Sequence, residues 1–212
     1  MNAPGRHPVA SPNAPAASGR LVSLLDPEPW QISIRDIAHH LALQSRWNGA
    51  TAAPYSVAQH SVMVAELLPA DHRLRAYGLL HDAHEAWTGD ISSPMKRMLA
   101  MEMHIRIDHR QPLSVGHRPL AAIAERLDEA IRDACGLERP RFVDDEAVKA
   151  ADDLAAWVEA RDLLHPIIAA DYHRIMPRPA GTLPGLIKAW PWPEAEERFL
   201  AAAARYLPHC PE

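Results

Sequence analysis

His81, Asp82 and Glu85 stand in HDAHEAWTGD, residues 81–90, the stretch of the chain best equipped for chemistry. Leu74 to Trp87 contains no proline and is rich in Ala and Leu, so it is expected to form one helix, stopped by Thr88, Gly89 and then Pro94. At about 100° per residue the three side chains fall within an arc of roughly a hundred degrees, with Gly78 one turn earlier on the same side. An imidazole beside a hard oxygen ligand suits a divalent metal that keeps open positions, and a neighbouring carboxylate can take a proton from water that the metal acidifies. Gly78 would leave room for something to approach. An isolated His-Asp pair also fits an ordinary solvated helix face, so the metal reading depends on ligands from elsewhere in the chain.

Two further candidates lie on neighbouring predicted helices. VAQHSVMVAELL, after Tyr55-Ser56, has Val57, Val64 and Leu68 on its apolar side and His60 roughly a right angle away. A histidine there can be held by the core and still face a cleft, although a lone histidine in such a position is more often structural than a ligand. Downstream, Val143 to Leu164 reads as a helix carrying Asp152-Asp153; Asp152 lies about 95° from the centre of its apolar face and Asp153 about 165°, so Asp153 should meet solvent and Asp152 can turn inward. Arg46-Trp47 closes an earlier helix that starts after Ser33 and buries Ile34, Ile37, Ala38 and Leu41. Arg is well shaped to fork a phosphate and Trp offers a flat face to a base or sugar, but an Arg stacked on a core Trp has the same sequence. Lys96 follows the motif closely and is the member of the basic stretch 96–118 best placed for phosphate oxygens.

The elements that must position these residues are helical. Leu120 to Cys135 adds another apolar series stopped by Gly136, and a last helix is expected over Glu194 to Tyr206 after a proline-rich connection. The fold class expected is all-α, a multi-helix bundle over residues 19–208, preceded by a disordered Pro/Ala/Ser tail at 1–18. The 212-residue length suits one domain, and the net charge of −5 argues against a stable nucleic-acid partner. No apolar run approaches the roughly 20 residues that a membrane span requires. Cys135 and Cys210 are far apart in sequence, so neither a disulfide framework nor a thiolate zinc site is expected, and a cytoplasmic setting is the simplest.

His60, then His81-Asp82, then Asp152 resemble the H…HD…D pattern of the HD-domain metal-dependent phosphohydrolases. HDAHEAWTGDISSPMK resembles the H-D-x-x-E-x-x-x-G-D-x-x-x-P-x-K segment of the bacterial 5′-deoxynucleotidase group, VKAADDL resembles its last-ligand helix, and Arg46-Trp47 matches an Arg-Trp pair upstream of the first ligand. The likeness runs from about residue 33 to residue 164. It implies an all-helical HD domain with metal ligands His60, His81, Asp82 and Asp152 holding one divalent ion, for which Mn, Co, Zn, Fe and Ni all remain open. It implies further that Glu85 orients or deprotonates the attacking water, that Asp90 contacts the sugar or assists that step, that Arg46 meets phosphate and Trp47 the nucleoside. Ala86 stands where guanosine tetraphosphate hydrolases carry Asp, and the Gly-Tyr-Pro signature of cyclic-dinucleotide phosphodiesterases is missing. The activity implied is removal of the 5′-phosphate from deoxyribonucleoside monophosphates. A dNTP triphosphohydrolase on the same ligands, and a non-catalytic nucleotide-binding regulator, are the alternatives. The expected partners are a small-molecule nucleotide substrate and further copies of the chain in a homo-oligomer, with no membrane.

Overall fold

In a computed structural model, residues 12–107, 118–182 and 184–212 are described. Nine α-helices are found among them: α1 (Ile34–Leu43), α2 (Val57–Leu67), α3 (His72–Leu80), α4 (Glu85–Thr88), α5 (Ser93–Ile107), α6 (Arg118–Ala134), α7 (Phe142–Leu163), α8 (Pro166–Ile175) and α9 (Trp192–Tyr206). Among the described residues the fold is all-α apart from one short antiparallel pair, β1 (Asn13–Pro15) with β2 (Leu21–Ser23), and an isolated bridge between Ser45 and Ser56. α2 is the central helix and packs against α1, α3, α7 and α9. The main core is built on the aliphatic Ile37, Leu41, Val57, Leu79, Leu127 and Ile131 together with Phe199. Ser33 caps α1 by accepting from the amides of Arg35 and Asp36, and Ile34, Ile37, Ala38 and Leu41 face inward as their spacing requires.

The expected boundaries need correction at both ends. Residues 12–18 belong to the fold: β1 pairs with β2, and the Ser18 amide and hydroxyl both donate to the buried Asp36 carboxylate at 2.8 and 2.7 Å. A proline-rich segment can act as a short edge strand because its missing N–H groups need no ladder partner. The expected tail is left with residues 1–11, which lie outside the described residues. At the other end Pro211 accepts from the amide of Ile34, which lies beyond the expected limit at 208. Cys135 and Cys210, 75 residues apart, form a disulfide that ties the end of α6 to the C-terminal segment. This overturns the expectation of unpaired cysteines and removes its support for a reducing compartment. No helix among the described residues is long and apolar enough to cross a membrane.

The predicted helix from Leu74 to Trp87 is two helices. α3 ends at Leu80, and the amides of Ala83, Glu85 and Ala86 bond three residues back, to Leu80, Asp82 and Ala83, instead of four. This tighter winding carries His81 and Asp82 on a turn between α3 and α4. Gly78 makes room for the α2 backbone, not for a ligand: a Cβ there would meet Leu68 Cδ1 at 2.5 Å and Ala65 Cα at 3.2 Å. Since α2 carries His60 and α3 leads into His81, Gly78→Ala is expected to push the two histidines apart and lower stability by about 1–3 kcal/mol despite the better helix propensity of Ala. Thermal denaturation followed by circular dichroism checks this; an unchanged midpoint would show that the helices separate without cost.

Candidate metal centre

His60 is fully buried in the first turn of α2, and His81 and Asp82 come from the turn after α3. One ligand atom from each lies within 4.8 Å of the others, so the three form a group that could hold a metal ion. Asp152, on α7, joins them: its Oδ1 is 3.2 Å from His60 Nε2 and 3.9 Å from His81 Nε2. Asp82 Oδ2 lies 3.1 Å from His81 Nε2 and 3.7 Å from His60 Nε2. Asp153 is turned away, paired with Lys149 on the outside of α7.

The ring tautomers can be read from what each Nδ1 touches. His81 Nδ1 lies 2.8 Å from the Gly78 carbonyl, which can only accept, so His81 Nδ1 carries a proton. His60 Nδ1 donates to Glu159 Oε1 at 2.6 Å, because burial is outweighed there by Arg46 and His60 and the Glu159 carboxyl is held down at about 2. Both Nε2 atoms of the neutral rings are therefore lone pairs, and they face each other at 3.2 Å between two carboxylates. Such an arrangement needs a positive charge at its centre. Without a metal the protein supplies protons: burial works against it, yet Asp82, Asp152 and the Gly78 carbonyl raise His81 to about 9. The same cations hold Asp82 and Asp152 well below the usual carboxylate range against their burial. Two imidazole nitrogens and two carboxylates, each ring oriented through its other nitrogen, form a donor set suited to a first-row divalent ion.

Glu85 opens α4 and is 3% exposed. Burial, then Asp82 and Asp90, push its carboxyl up to about 9. Its Oε1 lies 3.9 Å from Lys96 Nζ, and its Oε2 is buried without a hydrogen-bond partner. Asp90 follows at the end of the motif, its pKa also raised by burial, with Arg46 opposing and Asp82 adding to the shift. The 85–90 segment is stapled to α1 by residues that spacing did not single out. Gln44 donates to the Glu85 carbonyl at 2.7 Å and accepts from the Asp90 amide at 3.1 Å, while His40 Nδ1 donates to the Ala86 carbonyl at 2.7 Å.

Arg46 and Trp47 occupy a separate 3-10 turn, Arg46–Gly49, beyond the end of α1. Trp47 and Asn48 have φ of 57° and 50°, a left-handed conformation that costs roughly 1–2 kcal/mol per residue. Arg46 donates from Nε to Glu159 Oε2 at 3.2 Å and from Nη1 to Asp82 Oδ2 at 3.4 Å. The Trp47 indole N–H donates to the same Glu159 oxygen at 2.9 Å, and the ring packs edge-on against Tyr172 with centroids 5.3 Å apart. The structure thus gives Trp47 a packing position against α7 and α8. Glu159 is the residue that the spacing argument missed. It lies seven residues after Asp152, two turns along α7 and so on the same face, and a carboxylate recurring beside the apolar Ala155 and Val158 was the available signal.

Two cavities flank the centre. One, of about 260 Å³, is lined by His81 and Asp152 together with Arg132, Lys149, Asp128 and Asp145. The other, of about 400 Å³, lies between α4 and α6 and reaches Glu85 and Lys96. Of the basic stretch, Lys96 borders the site and Arg97 is exposed; the side chains of Arg106, His109, Arg110, His117 and Arg118 lie outside the described residues.

No protein-family model matches the sequence. An uncharacterized protein of Rhodobacter capsulatus is 37% identical over 194 residues, covering 87% of this chain and 90% of that protein. The chain belongs to its family. The uncharacterized protein YfdR of Escherichia coli is 35% identical over 132 residues, 62% of this chain, and the match spans 61% of YfdR.

Proposed function

We propose that the chain is an HD-domain phosphohydrolase that uses one divalent transition metal to remove the 5′-phosphate of deoxyribonucleoside monophosphates. The observation that carries this reading is the convergence of two imidazole lone pairs and the Asp82 and Asp152 carboxylates on one point, with Glu85 and Lys96 beside it. A divalent ion held by His60, His81, Asp82 and Asp152 would polarise a phosphoryl oxygen and make water acidic enough to attack near neutral pH. Glu159 and the Gly78 carbonyl fix the two rings so that both Nε2 atoms point into the cluster, where they would hold the ion. Glu85, with one carboxyl oxygen unpartnered, would be returned to its ionised form by the charge of a bound dication, and would then hold the attacking water in line and accept its proton. Lys96 and the guanidinium of Arg46 offset the charge that builds on the phosphoryl oxygens, and Asp90 is assigned to the sugar or to assisting the same step. The water oxygen bonds to phosphorus, the bond from phosphorus to the ester oxygen breaks, and that oxygen takes up a proton. One water is consumed, and a nucleoside and orthophosphate are released.

The substrate class is tested by product analysis with dAMP and dATP under one metal and one pH. Orthophosphate from dAMP is expected. Triphosphate from dATP with dAMP untouched would transfer the site to triphosphohydrolysis, and tight nucleotide binding with no product would make it a regulator.

A further inference from the structure

We propose that the 400 Å³ cavity between α4 and α6 is the subsite for the nucleobase, with the phosphate of the same molecule lying toward Glu85 and Lys96. This rests on the nucleotide-hydrolase reading above and adds where the heterocycle goes. The cavity's size falls within the range of roughly 300–1,000 Å³ typical of small-molecule sites, and such sites combine apolar walls with a few placed polar groups. Here Leu24, Ile91, Ile123 and Ala124 give apolar wall and Trp87 adds an aromatic ring. The indole Nε1 of Trp87 is buried and has no hydrogen-bond partner. A buried donor left unpaired costs about 1–3 kcal/mol, a cost that an acceptor reaching it from the cavity would relieve. A base offers one as a ring nitrogen or carbonyl on a flat, largely apolar body.

Position and exclusion point the same way. Glu85 and Lys96 line this cavity, and Glu85 feels the charge of Asp82, one of the proposed ligands, so a molecule with its phosphate beside Glu85 and Lys96 has the cavity next to it. The smaller cavity, at about 260 Å³, falls below that size range and sets Arg132, Lys149, Asp128 and Asp145 among its apolar residues. Trp47, which family likeness assigns to the nucleoside, has its N–H committed to Glu159 and lines neither of these two cavities.

The test fills the cavity and separates base from phosphate. Ala124→Phe places a ring in the space, and Ala121→Phe does so nearer the exposed rim; both are checked for folding by circular dichroism. The first readout is the ratio of kcat/KM for dAMP to that for 2-deoxyribose 5-phosphate, the same ester without a base. It is expected to fall at least tenfold in the filled variants. The second readout is calorimetric binding of deoxyadenosine, which has no phosphate, to metal-free protein. Its affinity is expected to fall at least tenfold on filling and 3- to 10-fold in Trp87→Phe, which removes the N–H. Deoxyadenosine binding lost on filling, in a protein that hydrolyses neither ester, would keep the base subsite and sink the hydrolase reading. If Ala121→Phe and Trp87→Phe bind deoxyadenosine as the wild type does and keep its ratio of dAMP to deoxyribose phosphate hydrolysis, the cavity is not the base subsite.

Discussion

Glu159→Ala is expected to destabilise the protein by about 3–5 kcal/mol and to weaken metal binding by roughly 10–100-fold, although Glu159 is not proposed as a ligand. The carboxylate is fully buried and accepts from His60 Nδ1, Arg46 Nε and Trp47 Nε1 at once. Removing it leaves a buried guanidinium short of its main counter-charge, with only the longer contact to Asp82 remaining. It also frees His60 to rotate, which directs Nε2 away from the cluster. Its folded-state pKa, about 2 and below the unfolded value of roughly 4.3, fixes the pH window. The contribution is complete above about pH 4.5 and is lost as pH falls toward 2, so the gap between wild type and variant should close in acid. Urea denaturation at pH 7 and pH 3, with Mn binding measured by calorimetry, checks all three statements. A variant within 1 kcal/mol of wild type at pH 7 would mean that the buried cluster is self-sufficient.

Glu85→Gln should give the opposite signs: turnover lost, stability gained. The carboxyl is raised to about 9 by burial and by Asp82 and Asp90, against roughly 4.3 in the unfolded chain. In metal-free protein the folded state therefore holds a proton that the unfolded state has released, and stability falls as pH rises from about 4.5 to 9. Gln keeps the shape and removes that loss. Metal-free Glu85→Gln should match wild type near pH 4 and exceed it by about 1–3 kcal/mol near pH 8. Retained stability with abolished phosphate release separates a residue kept for chemistry from one kept for folding. Equal stability at both pH values would show that Glu85 is ionised in the folded protein.

The parts of this site that were legible in sequence are those governed by one element's periodicity. Ser33 and the apolar series after it defined α1, and the helical wheel separated Asp152 from Asp153 as the structure does. What was not legible depended on more than one element. The break after Leu80 arises from a change to three-residue hydrogen bonds that the Ala/Leu-rich composition does not signal. Spacing could place Glu159 on the face of Asp152, but its role as the partner of His60 and Arg46 emerges only once α2, α7 and the Arg46 turn are brought together. α8 begins at Pro166, which reads as a turn in sequence yet suits a first helical position, where no amide partner is needed. The disulfide joins residues whose separation along the chain carries no information about their distance in space.

The central claim is that His60, His81, Asp82 and Asp152 hold a metal that drives hydrolysis of a nucleoside monophosphate. Its most direct measurement is orthophosphate release from dAMP by protein stripped with chelator and resupplied with Mn or Co, compared among wild type, Asp152→Ala and Asp153→Ala. Release by the wild type only after metal is returned, retained in Asp153→Ala and reduced to background in Asp152→Ala, is the expected result. No orthophosphate from wild type with either metal, or equal release by Asp152→Ala, would contradict it.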